Sequence, residues 1–279
     1  MSPTRGRIRR MDSGEETAFI KSVAARCRTS VVTGPAALRL HGIKTYRWVT
    51  IVDLALRGTA RAFDTTTPSA GRTYRSGILR PEDITTVDGI AVVTGIRALF
   101  DTYRYHPRTD ALVAIESARH LHKLSAENLL DRARQLPRAK GLRGFRELIG
   151  YSAGTSQSPL ETLGRDGILR AIASGTLTGV TNLEFQAERT ILTARGEPRR
   201  ALVDATINAF LGIEFDGKVK LSGIYGDPHR VIEEERMREK QLQNLGMVIC
   251  RFGWGEVENG SYIAVLQNLL RRYPGTRPA

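Results

Sequence analysis

Only two cysteines, Cys27 and Cys250, occur in 279 residues, too few for a disulfide framework or a cysteine zinc cage. No apolar run approaches the roughly 18 residues that a membrane-spanning helix needs. The N-terminus, MSPTRGRIRR, is basic but leads into MDSGEETAF rather than an apolar stretch, unlike a secretory signal. Core-forming residues are not in short supply. A composition of 41% hydrophobic and 25% charged residues is ordinary for a globular chain and excludes a mainly disordered one. The expectation is a soluble, cytoplasmic protein of two domains, with no membrane among its partners.

Acidic charge is in deficit: 42 Lys and Arg stand against 29 Asp and Glu, for a net charge of +13. The excess lies in the first half. Residues 1–150 hold 26 basic and 14 acidic side chains, net +12, whereas residues 151–279 hold 16 and 15, net +1. A phosphate-rich partner is the simplest cause of such asymmetry; a basic surface with no ligand is the alternative.

Four arginines and no acid among the first ten residues make residues 1–14 a flexible basic arm. A helix is predicted over Glu15–Arg26 and a short one over Pro35–His41, entered through Thr33-Gly34-Pro35. Trp48–Leu56 reads as a strand. Extended pieces follow at Thr73–Ser76 and Ile84–Val93, the latter folded at Asp88-Gly89. Helix, short helix and hairpin give residues 15–94 the order of a winged helix, whose second helix would enter the DNA major groove. Arg39, Lys44 and Arg47 flank that helix, and Arg57, Arg61, Arg72 and Arg75 fall where a wing would be. All seven are candidates for DNA phosphate contacts, with a solvated basic face as the other reading. Residues 95–151 read as a helical linker region, with Ile96, Leu99, Phe100 and Tyr103 on one stripe and Leu112, Ile115 and Ala118 on another.

The polar segment SAGTSQS, residues 152–158, marks a boundary. The predicted order beyond it is helix Leu160–Ala173, strands Leu183–Leu192, Arg200–Ile207 and Phe210–Asp216, helix Arg230–Leu245, strand Met247–Phe252 and helix Ser261–Arg272. That order requires a mixed sheet flanked by helices over residues 158–279. The fold class of the whole chain is α+β, grading into α/β.

Acidic residues stand where the apolar strands of this second domain end. Asp204 follows Ala201-Leu202-Val203, and Ile213-Glu214-Phe215-Asp216-Gly217 is followed by Lys218 and Lys220. Strand alternation puts Glu214 and Asp216 on one face, and Asp204 joins them if its strand pairs alongside across a tight turn containing Asn208. Carboxylates so gathered repel unless a cation is present. Hard oxygen donors suit Mg²⁺, and a nearby lysine could position or deprotonate a water. Glu161, one turn into the preceding helix, is a fourth candidate acid. Spacing alone equally allows Asp204 and Glu214 to solvate a strand end and Asp216-Gly217 to be only a turn.

Asp204, then Glu214-Phe215-Asp216-Gly217-Lys218-Val219-Lys220, then Glu234-Glu235-Arg236-Met237-Arg238-Glu239 and Leu245–Phe252 with Trp254 occur in order. This run resembles the domain similar to very-short-patch-repair (Vsr-like) endonucleases, a branch of the PD-(D/E)XK restriction-endonuclease-like superfamily. Ser158-Pro159-Leu160-Glu161 resembles that domain's opening. Ser30–Gly42 and Val87–Leu99 resemble the winged-helix and linker region of AbiEi-type antitoxins. The resemblance implies a metal-dependent phosphodiesterase in which Asp204 and Glu214 hold Mg²⁺ (or Mn²⁺) and Glu161 supports them. The strand departs from carboxylate–x–Lys because Asp216 stands two after Glu214, so the lysine role passes to Lys218 or Lys220. Arg238 and Glu239 would back the site or contact a phosphate; a surface ion pair is the alternative.

Two functions compete: a Mg²⁺-dependent DNA endonuclease or nickase, and a catalytically silent DNA-binding regulator or antitoxin that holds a toxin protein. An RNA-binding protein is a weaker third. Double-stranded DNA is the expected partner of the first two.

Overall fold

A computed structural model of the chain describes residues 12–27, 29–57, 71–193, 196–217 and 228–273, with side chains from residue 236 onward in the last stretch. The chain divides into two compact units, Met1–Gly154 and Thr155–Ala279. Among the described residues each contains one mixed sheet and several helices, an α+β arrangement.

The first unit opens with α1, Ser13–Arg26, started by a capping box in which Asp12 and Glu15 satisfy each other's backbone N–H. Residues 12–14 therefore belong to the helix start and not to a flexible arm. Next come β1 (Ser30–Thr33), α2 (Gly34–Leu40), β2 (Val52–Leu56), β3 (Arg72–Arg75), β4 (Ile84–Val87) and β5 (Ile90–Val93). They form a sheet of order β3-β2-β1-β5-β4. β1 is central and buried at all four positions, so it shows no alternation that the sequence could betray. The β4–β5 hairpin turns at Asp88 and Gly89, φ 49° and 76°, as a type I′ turn requires. Trp48–Ile51 do not extend β2. That segment is tied back as a loop, with Val49 N–H donating to Glu16 Oε1 at 2.6 Å and Thr45 Oγ1 to the Arg47 carbonyl at 3.0 Å.

Helices α3 (Gly95–Tyr105), α4 (Arg108–His122), α5 (Ala126–Arg134) and α6 (Leu142–Tyr151) share one core with this sheet, including Leu38, Leu54, Val92, Phe100, Ile115 and Phe145. Residues 15–94 and 95–151 are thus one body, where the sequence suggested a winged helix followed by a separate linker. Seven-residue α2 buries Gly34, Ala36, Ala37 and Leu38. Pro35, Arg39 and Leu40 of the same helix are half-buried.

The second unit begins with α7, Pro159–Ala173, capped by Ser158 Oγ accepting from Glu161 N–H and carrying Pro159 in its first turn. Strands β6 (Leu183–Leu192), β7 (Pro198–Ile207) and β8 (Leu211–Phe215) form an antiparallel meander. Helix α8 (Pro228–Asn244) then crosses over to β9 (Val248–Phe252), parallel to β8. The β7–β8 turn holds Asn208 and Ala209 at φ 52° and 61°, and Asn208 Oδ1 accepts from Thr181 N–H at 2.7 Å. Six-residue α9 (Trp254–Asn259) precedes α10 (Ser261–Arg272); it is too short for periodicity to reveal. On one face Ala205, Ile207, Ile213 and Phe215 pack with Ile168 of α7 and Tyr262 of α10. On the other, Ala201 and Val203 pack with Leu242 and Met247.

Candidate active site

Val203 and Ala205 are two residues apart, yet they belong to opposite faces of the sheet. Strand β7 therefore changes face at Asp204. Across from it in β6, Gln186 has φ 52° and drops out of the ladder between Phe185↔Ala205 and Ala187↔Val203. On the other side the β7–β8 ladder ends at Ala205↔Ile213. The Asp204 carboxylate takes the next amide itself, with Phe215 N–H donating to Oδ2 at 2.8 Å. Strict period-two alternation does not hold along β7 here; the sequence expectation brought Asp204 alongside by strand pairing and did not foresee the change of face. A local strand distortion re-aims the side chain.

Gln186 Nε2 donates to Asp204 Oδ1 at 3.3 Å and to Glu161 Oε2 at 3.1 Å, joining the two acids. Glu161 Oε2 also accepts from Gln157 N–H at 2.8 Å. Burial pushes the Asp204 carboxyl from 3.8 up to about 6; the Phe215 N–H opposes this rise and Glu161 adds to it. A folded value above the unfolded one means that the native state binds the proton more tightly. The stability present below pH 4 is therefore lost as pH rises to 6 and beyond. Asp204→Asn keeps an acceptor for Phe215 N–H and removes the charge. It should stabilise the protein by about 2 kcal/mol at pH 8 and by nothing at pH 4, as urea titrations at the two pH values will read.

Glu214 pairs in register with Arg251 of β9 and is only 7% exposed. Arg251 Nε lies 3.4 Å from one carboxylate oxygen, and Arg238 of α8 pairs with the other. Arg238 also donates to the Leu202 carbonyl at 2.8 Å, and Arg251 reaches Glu239 at 3.1 Å. The expected repulsion among bare carboxylates is thus corrected: two guanidiniums balance Glu214. Asp216 is half-buried just past β8, its N–H donating to the Phe252 carbonyl at 3.0 Å. Lys218 and Lys220 lie outside the described residues. Asp204, Glu214, Asp216, Gln186 and Arg238 line one cleft of about 260 Å³. Among the described residues no three His, Cys, Asp or Glu side chains are grouped to hold a metal ion.

Gln186 and Arg251 escaped sequence reasoning. A glutamine in a strand looks like an ordinary solvent-facing residue, and Arg251 becomes relevant only once the β8–β9 register is known.

Three basic candidates of the first unit are held by acids. Arg39 Nε lies 3.0 Å from Glu16, Arg47 Nη1 lies 2.7 Å from Asp110, and Arg75 Nε lies 2.9 Å from Asp53. Lys44 and Arg57 are exposed and Arg72 is half-buried; Arg61 lies outside the described residues. His41 Nε2 meets the Val93 carbonyl at 2.8 Å, a packing role. No protein-family model, curated protein or solved structure matches the chain.

Proposed function

We propose that the second unit hydrolyses phosphodiester bonds in double-stranded DNA with a divalent cation held by Asp204 and Glu214, and that the basic first unit brings the chain to DNA. The observation that carries this reading is that Asp204 and Glu214, on adjacent strands, line one cleft. Their oxygens are the hard donors Mg²⁺ or Mn²⁺ takes, leaving coordination positions for water and substrate. Asp204, with its proton lost near pH 6, is ionised at neutral pH, and a cation would relieve its desolvation. The ion would supply an activated water and charge neutralisation at the phosphate. With Glu214 turned to the cation, Arg238 and Arg251, which otherwise pair with it, would offer donors to phosphate oxygens. Gln186 would hold Asp204 and Glu161 in place, and Lys218 or Lys220 would orient the water. In this reading the first unit binds by its basic surface and not by insertion of α2, so its affinity should fall steeply with salt.

The pairing of Glu214 with two arginines favours a second reading, a catalytically silent regulator or antitoxin that uses DNA binding and a toxin partner. Thermal unfolding with and without Mg²⁺ or Mn²⁺ separates them. The nuclease reading expects a metal-dependent rise in Tm that Asp204→Asn and Glu214→Gln remove, together with nicking of plasmid DNA. A metal-dependent rise without cleavage selects the silent reading, and no rise at all defeats the metal site.

A further inference from the structure

A second cleft, of about 310 Å³, lies in the first unit between the Thr45–Asp53 segment, strand β3 and helices α3 and α4. That volume is at the lower end of the range small-ligand sites fill. Its floor is acidic and closed: Asp53 is 1% and the Asp110 side chain 8% exposed. Arg75 takes one Asp53 oxygen and His106 the other, at 2.5 Å, while Arg47 covers Asp110. The Arg75, His106 and Arg47 side chains therefore cover the two carboxylates. The Arg47 side chain is 59% exposed, and donor-only guanidinium is what the mouth presents to solvent, beside Thr50, while Thr45 and Thr73 line the cleft from buried positions.

The same mouth carries two large apolar side chains in water, Trp48 at 44% and Ile51 at 39% exposure. The Trp48 indole is backed by the Arg39 guanidinium, 5.4 Å from the ring centroid, and Arg39 is anchored to buried Glu16. An indole open to solvent and next to a guanidinium fork matches a planar base joined to a phosphate.

We propose that this cleft binds a nucleoside monophosphate unit, with its phosphate on Arg47 and Arg75 and its base stacked on Trp48. The source is either a free nucleotide or an unpaired end or stretch of a DNA strand. The site needs neither Asp204 nor Glu214 nor a metal, so it stands or falls apart from the nuclease reading.

Trp48 and Trp254 are the two tryptophans of the chain, so Trp254→Phe makes Trp48 the only reporter. In EDTA, a 5′-phosphorylated single-stranded oligonucleotide should quench its fluorescence saturably, and a blunt duplex of equal charge should quench it less. In anisotropy titrations of the labelled oligonucleotide, Trp48→Ala should weaken binding roughly tenfold, the scale of one lost base stack. Arg47→Gln should weaken it and reduce the slope of log K against log salt by about one. Both substitutions are at well-exposed side chains and spare the buried Arg75–Asp53 pair; Arg47→Gln removes the charge beside Asp110 but keeps an N–H donor for it, and the effects should persist in an Asp204→Asn background. Saturation by deoxyadenosine monophosphate alone would assign a free nucleotide; saturation by the oligonucleotide only would assign a strand. The proposal is overturned by no quenching from either probe, by equal quenching from polyglutamate, or by Trp48→Ala binding within twofold of the parent.

Discussion

Gly164→Ala should lower the melting temperature of the second unit by about 10 °C, a loss of about 3 kcal/mol. Helix α7 approaches the sheet so closely that a Cβ at Gly164 would sit 2.1 Å from Phe215 Cζ and 2.2 Å from its Cε1. Phe215 is 7% exposed and packs edge-on against Tyr262, so its ring has no free volume to retreat into. Gly167→Ala should behave similarly, because its Cβ would meet the hydroxyl of Tyr262, which is buried and donates to the Gly164 carbonyl at 3.0 Å. Gly255→Ala, with nothing within 4 Å of the added atom, should leave Tm nearly unchanged and serves as the control. The effect reaches the site as well. Phe215 N–H holds the Asp204 carboxylate, so displacement of Phe215 should also loosen Asp204. Calorimetry of the four proteins reads the first effect; a shift in the pH window over which stability falls reads the second.

The second large effect is expected at Glu214. Glu214→Ala leaves Arg238 and Arg251, with side chains 22% and 34% exposed, facing each other with their shared counter-charge gone. Removing one partner of a buried pair costs about 3–5 kcal/mol, and the partial exposure of the arginines brings the expectation to about 2–3 kcal/mol. Glu214→Gln keeps the volume and an acceptor oxygen and should cost less. A double-mutant cycle with Arg238→Met isolates the pair: a coupling of about 1 kcal/mol or more is expected between groups in direct contact. Additive losses would mean that Glu214 is held by something other than these arginines.

Legibility from sequence followed the physical signals. Helices with a cap and an apolar stripe, such as α7 and α10, and strands with a turn between them, such as β4–β5 at Asp88-Gly89, announce themselves. Strand β1 does not, because four buried residues in mid-sheet carry no period. The order of elements around Asp204 and Glu214 was readable. The face of Asp204 was not, since it depends on a left-handed backbone at Gln186, a residue type that does not flag one. The charge count pointed to the first unit, but it could not show that Arg39, Arg47 and Arg75 spend part of their charge on Glu16, Asp110 and Asp53. Those pairings are long-range and emerge only from the packed fold.

The role proposed for Asp204 and Glu214 in phosphodiester hydrolysis is tested most directly by conversion of supercoiled plasmid to the nicked form in Mg²⁺ or Mn²⁺. Wild type and Asp204→Asn should be followed side by side at pH 8, where Asp204 is ionised. Wild type should nick, EDTA should stop it, and Asp204→Asn should be slower by more than about a hundredfold, beyond the 10–100-fold that outer partners of a metal site typically contribute. Cleavage that survives Asp204→Asn, or a wild type that binds both metal and DNA and leaves the plasmid supercoiled, would contradict it.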